Sequence, residues 1–155
     1  MDDLLKQLLQ EEQELQFPHF NETTAWQLGR QMVEHAMREN LAVTIDISHG
    51  EQQLFHVSLN GTSADNDEWV KRKVRLVKRF GHSSYYMGQL LKSKGKTIEE
   101  SYLIPESEYA AHGGCFPIIV KETGMIGTIT VSGLPQEEDH KLVVKSIREF
   151  LAKEK

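Results

Sequence analysis

Apolar residues along this chain recur at two different spacings, and the spacing separates helices from strands. Near the start, leucines fall three and four residues apart among glutamine and glutamate, which predicts an amphipathic helix over about 1–16. The pair Phe17-Pro18 ends this pattern. A second helical pattern follows an N-cap at Asn21 and runs to about Asn40. The first forty residues therefore predict two helices, each with one apolar face.

Alternation of apolar and polar positions takes over after residue 40. It predicts a hairpin of strands 41–48 and 53–59, turned at His49-Gly50, with alternate apolar residues of the second strand facing inward. Two more strands, 118–120 and 125–131, flank a tight turn at 122–124. We expect both pairs to lie in one sheet.

Helical spacing returns in four further segments. Asp65 with Glu68 resembles a capping box that opens a helix over 66–80, and Gly81 interrupts it. The other predicted helices cover 83–94, a short turn after Thr97, and 136–152. The order of elements predicts an α+β fold with a mostly antiparallel sheet that helices cover.

Composition narrows the class of protein. A chain of 155 residues with 39% hydrophobic content is expected to form a single domain over 1–155. The net charge of −5 argues against nucleic acid as a partner, and no apolar run reaches the roughly 18 to 20 residues of a membrane span. One cysteine and an acidic start without a secretory signal favour a cytoplasmic location.

A glycine-rich block is the strongest candidate for chemistry. Gly113-Gly114 permits positive φ and exposes N–H groups, which suits a bound anion or carbonyl, while His112 could hydrogen-bond a ligand or act as an acid or base. The alternative is that the glycines only shape the entry into a strand. Ser132-Gly133 presents the same choice between a ligand contact and a turn into the last helix. We expect the two glycine segments to lie at neighbouring strand ends.

A basic run on the helix 66–80 has three possible uses. Helical spacing places Arg72, Arg75 and Arg79 on one side and valines on another, so the helix is predicted to be basic outside and apolar within. The basic face could be solvated, could hold an anion through arginine, or could dock the acidic stretch 11–14 of a neighbouring subunit.

Other reactive or aromatic residues point mainly to packing. Cys115 follows His112 by three positions, which places the two on opposite faces of a strand, so a buried thiol is favoured over a nucleophile. Trp26 and Trp69 are expected in the core or at a subunit interface, and Tyr85 and Tyr86 are expected to pack. The seven histidines show no zinc spacing, so no metal site is predicted.

Four segments together resemble the HbpS/GlcG-like haem-degrading-domain family, in particular a short branch of uncharacterised function. They are Asp65–Lys73, Phe80–Gly88, His112–Ile118 and Val131–His140. The resemblance implies a profilin-like α/β/α sandwich that forms homo-oligomers, and haem as a possible cofactor. His82 and His112 are then candidate axial ligands of iron.

Two functions follow from the sequence. The first is a homo-oligomeric protein that binds haem or another small anionic ligand, and the second is an oligomeric scaffold or interaction module without catalysis; whether any reaction is catalysed stays open. The predicted ligand-binding residues are His112, Gly113, Gly114, Phe116, Ser132, Gly133, Arg72 and His82.

Overall fold

The computed structural model describes residues 2–154. The helices are α1 (Asp3–Glu14), α2 (Glu22–Arg38), α3 (Ala64–Phe80), α4 (Ser84–Ser93), α5 (Ile98–Tyr102) and α6 (Gln136–Lys153). The strands are β1 (Gln16–Phe17), β2 (Thr44–His49), β3 (Gln52–Ser58), β4 (Cys115–Val120) and β5 (Gly124–Ser132).

The five strands found within residues 2–154 form one sheet in the order β1-β4-β5-β2-β3. The pairs β4–β5, β5–β2 and β2–β3 are antiparallel, and the two-residue β1 pairs parallel with β4. The predicted α+β class with a mostly antiparallel sheet is confirmed. The prediction did not include β1, because two residues before a proline carry no alternating pattern.

The start of α3 differs from the prediction. The N-cap is Ser63, whose hydroxyl accepts from the backbone N–H of Asp65 at 3.3 Å, while the Asn66 side chain accepts from the N–H of Ser63 at 2.9 Å. The predicted capping box at Asp65 and Glu68 is therefore wrong, since a serine–asparagine pair occupies that role two residues earlier. Gly81 ends the helix in the left-handed conformation, at φ 72°.

One face of the sheet is apolar and packs against α2 and α6. Its buried side chains include Ile45, Ile47, Phe116, Ile129 and Val131. Full burial of each such side chain contributes about 1.5–3 kcal/mol. This layer supplies the main core.

The opposite face of the sheet is polar and lies against α3. Because side chains alternate along a strand, the positions between the core residues bring Thr44, Asp46, Thr128, Thr130 and Ser132 to this side, and all five are buried. Helices thus cover both faces of the sheet, with a hydroxyl-rich layer on one side. That layer leads to the site described below.

A histidine joins the edge strand β3 to α3. The Nδ1 atom of His56 lies 2.8 Å from a carboxylate oxygen of Asp46, and its Nε2 lies 2.9 Å from one of Asp67. Burial opposes the charged imidazole, but hydrogen bonds to the two carboxylates outweigh it and raise the pKa of His56. The bridge anchors α3 over the polar layer.

The amphipathic helix α1 packs on α4 in a second apolar cluster that includes Leu8, Leu76 and Tyr86. Within its acidic stretch, buried Glu12 accepts hydrogen bonds from His82 Nδ1 at 2.8 Å and from the Ser83 N–H at 3.1 Å. Tyr85 and Tyr86 are buried, as predicted.

Candidate functional site

A cleft of about 400 Å³ opens at the end of the polar layer, between the start of α3 and the start of α6. Its walls come from both helices and from the segments beside the ends of β4 and β5. The lining residues are Asp65, Asn66, Trp69, Lys73, His112, Ser132, Gly133, Leu134, Gln136 and Asp139. The fold brings together residues that are up to 74 positions apart in sequence, from Asp65 to Asp139.

The two glycine segments do lie at neighbouring strand ends. The N–H of Val131 donates to the carbonyl of Gly114 at 2.8 Å, and Gly114 has φ 136°. A Cβ on Gly114 would collide with the Val131 carbonyl and lie 2.7 Å from the Lys73 ammonium nitrogen. Because Gly114 has no Cβ, the Lys73 ammonium group can occupy this space.

A buried ion pair forms the inner wall of the cleft. Lys73 Nζ lies 3.2 Å from Asp139 Oδ2 and donates to the Val131 carbonyl at 3.1 Å, and each charged side chain is at most 4% exposed. Asp139 also accepts from the N–H groups of Gly133 and Leu134, at 3.3 and 2.9 Å. Burial lowers the pKa of Lys73 and raises that of Asp139, while their attraction opposes both shifts. An ammonium has three donors, so these two hydrogen bonds leave one N–H of Lys73 unused.

An aromatic stack forms the mouth of the cleft. The imidazole of His112 meets the Trp69 ring edge to face at 5.4 Å, and the Arg72 guanidinium lies 4.4 Å from the centre of the Trp69 ring. Partial desolvation and the positive charges of Lys73 and Arg72 lower the pKa of His112. A neutral imidazole at neutral pH can donate one hydrogen bond and accept another.

A second concavity of about 230 Å³ adjoins the mouth, and we call it the basic groove. His112 stands on the border between the groove and the cleft, since it lines both spaces. Its lining residues are Arg72, Gly88, Leu91, Lys92, Lys96, Thr97, Ile98, Glu106, Tyr109, Ala111 and His112. The groove thus carries three cationic side chains and one carboxylate.

Comparison with known proteins assigns the family. The model described as "Haem degrading protein HbpS-like" matches residues 20–148. The chain belongs to the HbpS-like family. It is 47% identical over 149 residues to a UPF0303 protein of Streptomyces avermitilis, covering 96% of this chain and 91% of that protein.

Solved structures show the same fold. The HbpS-like chain superposes on the Ybr137w protein with a TM-score of 0.90 and 35% identity, over 97% of this chain and 88% of the other. A structure described as a PduOC–haem complex matches with a TM-score of 0.66 at 18% identity, over 80% of this chain and 89% of that one. At 18% identity, the similarity to the PduOC–haem structure shows a shared fold.

The structure brings some of the predicted residues to this cleft and places others elsewhere. His112, Ser132 and Gly133 line it, and Arg72 lines the basic groove. Gly113 and Gly114 are buried beside it, and the N–H of Gly113 donates to the Gln136 side chain at 2.9 Å. These two glycines therefore support the walls.

Phe116 and His82 do not line either space. Phe116 is fully buried in the core on the other face of the sheet, because β4 alternates and Phe116 points opposite to Cys115. His82 is tied to Glu12 between α1 and α4. Sequence reasoning included Phe116 because it follows the glycine pair, and His82 because the family resemblance made it a candidate axial ligand of iron. For both residues the structure corrects the assignment to this site.

Cys115 is a buried thiol. It is fully buried, and burial raises its pKa to about 12 against the opposing effects of the Thr130 hydroxyl and Lys73. A nucleophilic cysteine needs an accessible thiolate. The packing interpretation is the one that the structure supports.

The basic face of α3 is used within the chain. Arg72 donates to the Glu106 carbonyl at 2.8 and 3.2 Å, and Arg75 donates to the Glu108 carbonyl at 3.2 Å, so both hold the loop before β4. The acidic stretch 11–14 bonds inside its own subunit, with Glu11 at 2.8 Å from His140. Docking of that stretch on a neighbour is therefore not supported.

Sequence reasoning missed Lys73 and Asp139 as residues of the cleft, and for the two tryptophans it left the core and a subunit interface as alternatives. Lys73 was treated as one of the basic residues of this helix and was not singled out. The available signal was that 70, 73 and 77 follow the three-and-four spacing of the buried stripe. Trp69 lines the cleft instead of the core. Trp26 is 57% exposed, so it is not a core residue.

The described residues form neither a metal-binding cluster nor a membrane-spanning helix. Among residues 2–154, no three histidine, cysteine, aspartate or glutamate side chains lie together as a metal site requires. No helix in the same range has the length and hydrophobicity to cross a membrane.

Proposed function

We propose that this HbpS-like protein binds a small polar organic molecule in the cleft around His112. The observation that carries the proposal is the convergence of hydrogen-bonding groups on one concave space: Asn66, Lys73, His112, Gln136 and Asp139. A few convergent polar groups in a cleft are the usual mark of a ligand site.

Rigidity of the walls supports the same proposal. The Asn66 amide donates to the Ser132 hydroxyl at 3.3 Å, and Asp139 is fixed by the ion pair with Lys73 and by two backbone N–H groups. A site whose polar groups are already oriented loses less entropy when it binds. The ligand meets groups that are held in place before it arrives.

Haem is the group that the family description suggests, and the cleft of one subunit does not fit it. Among the described lining residues, the apolar side chains are Trp69 and Leu134, whereas the remaining walls are mostly charged, amide or hydroxyl groups. A porphyrin ring would bury these polar groups without partners, which is costly. The described cleft therefore favours a polar ligand over haem.

Fluorescence of Trp69 tests the proposal. The chain has two tryptophans, so Trp26→Phe leaves Trp69, at the mouth of the cleft, as the single reporter. Titration with a panel of sugars, carboxylic acids, nucleotides and haemin is expected to give a saturable change for at least one polar compound. His112→Ala is expected to weaken that compound about tenfold, or about 1.4 kcal/mol.

Trp69→Phe is the matched control, because it leaves Trp26 on α2 as the reporter and should show no change. If no polar compound gives a saturable change, the binding proposal is rejected. Saturable binding of haemin alone, lost in His112→Ala, would also contradict the preference for a polar ligand.

Self-association is the second part of the proposal, and an exposed apolar pair on α2 supports it. Trp26 is 57% exposed and Met37 63% exposed, and eleven residues, or three helical turns, separate them on one side of the helix. Trp26 also packs against Phe55 of the edge strand β3, with ring centres 6.1 Å apart. Exposed aromatic residues of this kind are enriched at interfaces.

Sedimentation of the double variant Trp26→Glu, Met37→Glu tests this surface. The wild type is expected to sediment as an oligomer and the double variant as a monomer. Leu103→Glu is the control, because Leu103 is 87% exposed on a different part of the chain and should leave the oligomer intact. A monomeric wild type would overturn this part of the proposal.

A further inference from the structure

The cleft and the basic groove carry opposite charge. The cleft has the carboxylates of Asp65 and Asp139 against one ammonium, that of Lys73. The groove has Arg72, Lys92 and Lys96 against one carboxylate, that of Glu106. His112, whose pKa is lowered, separates the two spaces as a neutral ring at neutral pH. An anionic group is therefore stabilised in the groove and repelled by the cleft.

The chemistry of the cleft suits hydroxyl groups. The Asp65 carboxylate can accept hydrogen bonds from a ligand, and the third N–H of Lys73 can donate one. The amide oxygens of Asn66 and Gln136 accept from the N–H groups of Ser63 and Gly113 and each keep one further lone pair. The Trp69 ring adds an apolar surface for carbon-bound hydrogens. An uncharged polyhydroxyl group satisfies these partners without adding a buried charge.

The chemistry of the groove suits a phosphate monoester. Two of the five guanidinium donors of Arg72 are spent on the Glu106 carbonyl, so three are left. Lys92 and Lys96 are exposed and free to move toward a ligand. The excess of two positive charges matches a monoester, which carries about −1.5 to −2 at neutral pH.

We infer that the ligand is a phosphorylated polyol whose phosphate lies in the basic groove and whose hydroxyl groups lie in the cleft, on either side of His112. This inference rests on the proposed function, because it names the class of molecule that the same site takes. The side chain of His112 contacts the middle of such a molecule, since it lines both spaces.

Glucose 6-phosphate, glucose and inorganic phosphate are the probes that test it, at constant ionic strength and with Trp69 as the reporter in the Trp26→Phe background. The sugar phosphate is expected to bind at least about tenfold more tightly than either fragment, because joining two groups makes the second contact intramolecular. The position of Arg72 over Trp69 makes the reporter sensitive to both spaces.

Variants test which half of the ligand lies in the basic groove and which half lies in the cleft. The double variant Lys92→Ala, Lys96→Ala is expected to weaken the sugar phosphate about tenfold and to leave glucose unchanged. Asn66→Ala is expected to weaken the sugar phosphate and glucose, and to leave inorganic phosphate unchanged. Lys94→Ala is the control for loss of a nearby surface lysine, because Lys94 lies between the two lysines in sequence and outside the groove lining.

Three results would overturn the inference. One is equal affinity for glucose and the sugar phosphate, and another is an equal loss in Lys94→Ala and in the double lysine variant. The third is the absence of sugar phosphate binding while a neutral sugar or a carboxylic acid of the wider panel binds. In that third case the cleft still binds a polar molecule, so the proposed function stands, but the ligand is not a phosphorylated polyol. Failure of the inference is thus distinguishable from failure of the proposed function.

Discussion

Replacing Lys73 with methionine is expected to lower the free energy of unfolding by about 3–5 kcal/mol, which is the usual cost of leaving one member of a buried ion pair alone. Asp139 would then be a carboxylate at 2% exposure without its ammonium partner. Methionine keeps the length and the apolar stem of the lysine, so little packing is lost. Urea denaturation at neutral pH measures the change.

The double variant Lys73→Met, Asp139→Asn separates charge from packing. Asparagine retains an oxygen that can accept from the Leu134 N–H, but it carries no charge. The double variant is expected to recover about half or more of the stability that Lys73→Met loses, because the unpaired charge is gone. If the stability losses of the single variants Lys73→Met and Asp139→Asn simply add up to that of the double variant, the ion pair is not the source of the effect.

Replacing Gly114 with alanine is expected to cost at least about 2 kcal/mol more than replacing Gly124 with alanine, because overpacking is added to backbone strain. Both glycines have positive φ, 136° and 108°. A Cβ on Gly114 meets the Val131 backbone and the Lys73 ammonium group, whereas a Cβ on Gly124 has open space among the described residues. Gly124→Ala therefore reports strain alone.

Urea denaturation of the two variants gives the comparison directly. The Gly114 variant is also expected to lose affinity for any compound that binds the cleft, since the new methyl group displaces Lys73. Equal stability losses in the two variants would show that the close approach of β4, β5 and α3 at Gly114 is not required.

Much of the fold could be predicted because periodic patterns depend on local sequence. The two hairpins, the closing helix and the turn at Gly81 all follow from such patterns. The short strand β1 could not, because its place is set by pairing with β4, more than a hundred residues away in sequence.

The site was predictable only in part, for a different reason. Glycine and histidine motifs indicated the segments at 112–114 and 132–133, which do line or support the cleft. The ion pair between Lys73 and Asp139 joins α3 to α6, and pairing across 66 residues leaves no local signature. Phe116 shows the converse, because one step along β4 turns a neighbour of the site into the core.

A polar small molecule is expected to bind beside His112, and histidine-ring NMR tests this binding most directly. The ring resonances of His112 and His82 are assigned from the variants His112→Asn and His82→Asn, and the tightest polar compound of the panel is then added to saturation. The His112 resonances are expected to shift, while those of His82, which lies between α1 and α4, are expected to stay in place. Unchanged His112 resonances at saturation would contradict it.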